Sequence, residues 1–243
     1  MGHRVTTLNV NTIEPAGNTL TIGASGDSVV IGNNDIRANT YKDAGGNTLF
    51  TSNGSGVLSC VNSGFSDSLK LLSTQTASNS ASLSFTSGID ATYKEYIFKF
   101  IDINPATNGG ALQFQVNVAG QSGYNETMTT SYFQANHHED NDPAELAYAG
   151  GDDQAQGTAF QSIISYISSD ADSCGVGKLH LFNPASTTYI KLWYSLGQCM
   201  SGSAGALASY GAGYINVTGA VDEIQFKMNS GNFDGTIKMF GVS

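Results

Sequence analysis

The chain has 243 residues, enough for one sizeable domain or for a smaller domain with an extension. A formal net charge of −10 excludes functions that grip a phosphate backbone, which need clustered Lys and Arg to release counterions. Only 12% of residues are charged and Gly (29) far outnumbers Pro (4), which disfavours long solvated helices and predicts an all-β protein of short strands joined by turns.

The first 66 residues form a compositional unit of their own. Met1-Gly2-His3-Arg4 leads into polar sequence without the apolar stretch of a secretory signal. Of the 12 Phe, 11 Tyr and single Trp, only Tyr41 and Phe50 precede residue 65, so residues 1–66 lack the bulk filler of an ordinary core. They carry a repeat-like pattern instead. Gly17-Asn18-Thr19-Leu20 returns as Gly46-Asn47-Thr48-Leu49, and Thr19-Leu20-Thr21-Ile22-Gly23 is echoed by Ser28-Val29-Val30-Ile31-Gly32. Paired aliphatics such as Leu8 with Val10 and Leu20 with Ile22 sit at the period of two that short strands require. A thin apolar edge of this kind is stable only when buried, and copies related by cyclic symmetry bury it against each other. A trimeric β stalk over residues 1–66 is the expectation, against a flexible Gly/Ser/Asn linker.

Residues 67–243 read as an antiparallel β-sandwich head of jelly-roll type with nine or ten strands. Leu83 and Phe85 open the series of inward faces. Tyr93 to Ile103 is apolar on both faces, with Tyr96, Phe98 and Phe100 opposed to Ile97, Ile101 and Ile103. Leu112, Phe114, Val116 and Val118 alternate with Gln113, Gln115 and Asn117, the pattern of a strand with one face in the core and one in water. Phe160, Ile163, Ile164 and Ile167 have the spacing of a helix face, but the run is short and β-branched and reads as a strand. Leu179 with Leu181, Ile224 with Phe226 and Met228, and Ile237 with Met239 supply further inward faces. Tyr189 to Leu196 is again two-sided, with Ile190, Leu192, Tyr194 and Leu196 opposed to Tyr189 and Trp193. That places it in mid-sheet or at a subunit interface.

The most conspicuous polar feature is His137-His138-Glu139-Asp140-Asn141-Asp142-Pro143-Ala144-Glu145 followed by Asp152-Asp153. Six of the 20 acidic residues fall there with no Lys or Arg. Alternating oxygens at Asp140 and Asp142 suit Ca²⁺, yet the run lacks the Gly and terminal Glu of an EF-hand loop. Adjacent His on one extended strand point to opposite sides, which suits no common zinc geometry. A long solvated loop on a rigid scaffold is the better reading, and loops are where binding resides. His137, His138, Asp140, Asp142, Tyr148, Asp152 and Asp153 are therefore the candidate recognition residues, and no metal or other cofactor is expected. Tyr124, Tyr132, Tyr148 and Tyr210 lie in or beside Gly/Asn/Ser-rich connections and offer aromatic faces for a sugar ring.

Cys60, Cys174 and Cys199 are too few and too irregular for a disulfide framework or a zinc knuckle, and read as free thiols of a reducing cytoplasm. Cys174 and Cys199 could meet only if their strands are neighbours. No nucleophile elbow, Walker loop, His-Glu-x-x-His or Cys-x-x-Cys occurs, so an enzyme is not expected. Carboxylate pairs such as Asp222-Glu223 leave a polysaccharide-trimming glycosidase as a minor alternative. The apolar stretches are too short for the ~20 residues of a membrane helix, so membrane insertion is not expected either.

Three segments carry a family resemblance. Val10-Asn11-Thr12-Ile13 through Gly46-Asn47-Thr48-Leu49-Phe50-Thr51-Ser52-Asn53-Gly54-Ser55-Gly56 resembles the N-terminal regions of marine bacteriophage tail fibres and related virion proteins. Tyr93-Lys94-Glu95-Tyr96-Ile97-Phe98-Lys99-Phe100 and Gly231-Asn232-Phe233-Asp234-Gly235-Thr236-Ile237-Lys238-Met239-Phe240-Gly241 are similar to strands in the sandwich-like heads of such proteins. The resemblance implies a virion location after assembly in the host cytoplasm, a homotrimer, and an N-terminal segment docked on other virion proteins. It also implies contact with a host surface glycan or protein. Tail fibre, head fibre and capsid decoration all fit it.

Overall fold

The computed structural model describes residues 40–43, 45–61, 68–141 and 144–242. The chain divides into two compact units, Met1–Phe65 and Ser66–Ser243. Among the described residues there is no helix.

In the first unit three short strands, β1 (Thr40–Lys42), β2 (Thr48–Ser52) and β3 (Leu58–Val61), form an antiparallel sheet in that order. The second copy of the repeated tetrapeptide builds its first turn. Gly46 takes φ +83°, open to glycine at no steric cost, and the Asp43 carboxylate accepts from the Asn47 backbone N–H (2.8 Å) and side-chain amide (3.0 Å). Tyr41 lies opposite Phe50 in register, and their rings stack with centroids 4.5 Å apart. The first copy of the repeat and the aliphatic pairs on which the stalk expectation rests lie outside the described residues.

The described residues of the second unit hold twelve strands, more than the nine or ten expected. They are β4 (Leu69–Ser80), β5 (Ser82–Phe85), β6 (Glu95–Pro105), β7 (Gly110–Val118), β8 (Met128–His138) and β9 (Ala144–Tyr148), then β10 (Gln161–Ile167), β11 (Gly175–Phe182), β12 (Lys191–Met200), β13 (Gly205–Ile215), β14 (Val221–Met228) and β15 (Phe233–Val242). An eight-stranded sheet runs β4-β15-β6-β11-β12-β13-β8-β9 and a four-stranded sheet runs β10-β7-β14-β5, all pairings antiparallel. The two sheets share one core. Phe226 of the smaller sheet meets Phe98 and Phe100 of the larger at 5.3 Å between centroids, and Phe114 meets Trp193 edge-on at 5.0 Å.

Bulges explain where simple alternation misleads. Asp102 adopts φ +53° and β6 slips by one residue there, so Ile103 turns inward with Tyr96, Phe98 and Phe100 instead of joining Ile97 and Ile101. Strand β10 carries two register shifts against β7, which bury Ile163, Ile164 and Ile167 together. The helix-like spacing in the sequence is the trace of these bulges on a strand.

The outer face of β7 is not in water. Gln115 is fully buried, and its amide donates to the backbone oxygens of Glu126 (2.9 Å), Thr158 (3.2 Å) and Ala159 (3.2 Å). Amide side chains are required there because the covering segments are irregular backbone whose polar groups need partners.

Candidate functional site

The expected acidic loop is largely a β-hairpin. Strand β8 extends through His137 and His138, and β9 returns beside it with Ala144 opposite His137 and Tyr148 opposite Phe133. The two histidines fall on opposite faces, as consecutive strand residues must. At the tip, His137 Nε2 lies 3.0 Å from Asn141 Oδ1, and the Glu139 N–H donates to the Ala204 carbonyl (3.1 Å). Asp142 lies outside the described residues. At the base, the Tyr148 hydroxyl donates to Asp153 Oδ2 (2.5 Å), which raises the phenol's pKa because the neutral form is the donor. The carbonyl of Asp152 accepts from the Gln161 side chain (2.7 Å). The candidates therefore form two groups, His137, His138 and Asp140 at the tip and Tyr148, Asp152 and Asp153 at the base. Four residue steps of β9 separate them, about 13 Å at the usual rise.

The four tyrosines also separate. Tyr132 is fully buried, a correction to its expected place in an exposed connection. It lies on the inner face of β8, its hydroxyl 3.1 Å from Ser165 Oγ, and burial pushes its pKa up to about 12. Tyr124 is half-buried and donates to Glu223 Oε2 (3.0 Å). Tyr148 and Tyr210 are exposed, and they share a surface that periodicity alone does not reveal.

That surface is the outer face of the eight-stranded sheet. Register carries one row of side chains across seven strands, Lys238, Lys99, Lys178, Leu196, Tyr210, Phe133 and Tyr148, each directly opposite the next. The first three are cationic, and the last four are apolar or aromatic and end at the Tyr148–Asp153 hydrogen bond. Phe133 and Tyr210 stack nearly parallel (7°) at 4.8 Å. In adjacent rows Leu192 is 56% exposed, Tyr194 42% and Leu146 71%. Strand β12 thus shows its aliphatic side to solvent while Lys191, Trp193 and Ser195 face inward. Tyr189 precedes the strand and does not share Trp193's face. A depression of about 260 Å³ opens beside Lys99, Lys178, Val176 and Leu196. A wider one of about 580 Å³ lies under the hairpin tip, between His137, Glu139, Cys174 and Met200.

Two buried polar groups brace this sheet. His180 is buried on it, sandwiched by Tyr194 with ring centroids at 4.4 Å and bonded through Nδ1 to Glu95. Lys191 is wholly buried, and its ammonium donates to the carbonyls of Ser186 (2.7 Å), Tyr189 (2.9 Å) and Val217 (3.2 Å), with burial lowering its pKa. Cys174, just before β11, and Cys199, on the neighbouring β12, are free thiols; burial raises the pKa of both, Cys199 to about 12. Among the described residues no three His, Cys, Asp or Glu side chains gather as a metal site. No family model, curated protein or solved structure matches the chain.

Proposed function

We propose that this chain is a structural, non-enzymatic component of a bacteriophage virion, a homotrimeric fibre whose N-terminal unit docks on the particle and whose jelly-roll-like head meets the host surface. The observation that carries the reading is the β8–β9 hairpin. Its second strand is exposed at every residue, and it displays Leu146 and Tyr148 on an edge of a sheet whose core is fully packed. A rigid antiparallel body with an exposed amphipathic edge and a polar tip is a scaffold for recognition. The return of β15 between β4 and β6, and of β14 between β7 and β5, supports the jelly-roll-like topology.

Capsid decoration is the second reading, since a rigid β body with an exposed edge strand also suits attachment to a capsid surface. Antibodies against the chain, imaged on purified particles, separate the two. Tail labelling together with retention of the full-length chain on susceptible cells is the expected result. Labelling over the capsid lattice selects decoration, and particles without the chain sink both.

A further inference from the structure

We propose that the outer face of the eight-stranded sheet is an interface between copies of this chain, closed about a threefold axis through β11, β12, β13 and β8. This rests on the trimer proposed above and assigns it a surface in the head.

The first argument is the apolar content of the face. Val176, Leu192, Leu196, Met200, Tyr210 and Phe133 are all at least 37% exposed on four adjacent strands. Contiguous apolar surface on this scale marks an interaction site, and Met and aromatic residues are enriched in protein interfaces.

Charge names the occupant. Lys238, Lys99 and Lys178 stand directly opposite one another on three neighbouring strands, an arrangement that is repulsive by itself. They take three of only ten basic residues in a chain of net charge −10. Among the described residues the one ion pair is His180 with Glu95, and no described carboxylate lies within ion-pair distance of the row. A carboxylate lies at the far flank of the same face, Asp153 at the end of the lysine–aromatic row, where it accepts from Tyr148. A face that is positive on one flank and negative on the other is complementary to a second copy of itself.

Width selects three copies. Sheets packed face to face lie ~10 Å apart, so each sits ~5 Å from a shared axis, and three faces meeting at 120° around it are each about 17 Å wide, or roughly four strands. Between the cationic strand β6, with Lys99, and the edge strand β9, which carries the exposed Leu146 and Tyr148 and meets Asp153, the interior of the band is four strands wide, β11 to β8. The cationic flank of each copy then meets the acidic flank of the next, the head-to-tail relation that closes a ring.

The test uses the full-length chain, co-assembled from unlabelled and ¹⁵N-labelled material. A zero-length carbodiimide joins amines to carboxylates in contact, light scattering gives the mass, and hydroxyl-radical oxidation reports exposure of Met200, Tyr194 and Phe133. A threefold mass is expected, with mixed-isotope links from Lys99 or Lys178 to Asp153. The three probe residues should be protected relative to a Leu196→Asp variant. If Leu196→Asp fails to fold, Lys99→Glu with Lys178→Glu on the exposed flank serves the same comparison and should leave the three probe residues exposed. A threefold mass without mixed links, and with probe residues oxidised as fast as in the variant, overturns this interface while leaving N-terminal trimerisation standing. A twofold mass with the links overturns the threefold packing. A monomer overturns both this interface and the trimeric reading.

Discussion

Tyr132 shows how burial of one hydroxyl writes a pH dependence into the fold. Its pKa rises to about 12 in the folded chain, chiefly by desolvation, against ~10 when unfolded. Above pH ~10 the unfolded state has therefore lost a proton that the native state still holds. Stability should be full below that pH and fall as pH rises towards 12, by at most about 2–3 kcal/mol from this residue. Denaturant titrations from pH 9 to 12 should show the decline, and Tyr132→Phe should flatten it; an equal slope in the variant would assign the effect elsewhere. Glycines make the opposite point, that absence of a side chain is itself a packing requirement. A Cβ at Gly213 would come 2.6 Å from the Thr129 carbonyl oxygen and 2.9 Å from Thr130 Cα, both backbone atoms that cannot swing away. Gly213→Ala should lower stability by about 1–3 kcal/mol, read as a reduced denaturant midpoint with unchanged slope.

At the level of elements, the β8–β9 hairpin can be altered without touching the core. Leu146 and Tyr148 face solvent, so Leu146→Ser with Tyr148→Ser should shift stability by no more than ~0.5 kcal/mol. Adsorption of the chain to host cells should nonetheless fall. A large loss of stability would mean that the edge strand is structural, and unchanged adsorption would remove the hairpin from the recognition surface. The same hairpin shows what sequence reasoning can and cannot reach. Strands with bulky alternation, such as Leu112 to Val118 and Ile224 to Met228, are legible because apolar and polar residues alternate without interruption, even though β7 is buried on both faces. Strand β13 is not. Its inner face carries Gly205, Ser209, Gly211 and Gly213, because the rings of Tyr132 and Trp193 occupy the space where side chains at Gly211 would stand. Nor does β9 show itself, since a strand exposed at every residue has no buried face to impose a period. The lysine row is the clearest loss. Lys99, Lys178 and Lys238 are far apart in sequence, and only the register of β6 with β11 and β15 makes them neighbours.

For the whole molecule, net charge and local charge pull association in opposite directions. Each copy carries −10, so copies repel over long distances. The proposed contact instead sets the Lys99 and Lys178 flank against Asp153, and attraction there acts at contact. Salt separates the two by range. The screening length falls from ~30 Å at 0.01 M to ~8 Å at 0.15 M and ~3 Å at 1 M, so the first increase removes mainly the long-range repulsion and the second also weakens the contact pairs. Association of the full-length chain should therefore tighten from 0.01 to about 0.15 M NaCl and weaken again towards 1 M, as followed by sedimentation equilibrium. With Lys99→Glu and Lys178→Glu the attractive half is gone, and association should be weaker throughout and rise steadily with salt. Because only the assembled state gains from partner copies, the wild-type Tm should also climb with protein concentration near the optimum salt. A salt curve of the same shape in wild type and variant would show that the lysine row takes no part in holding copies together.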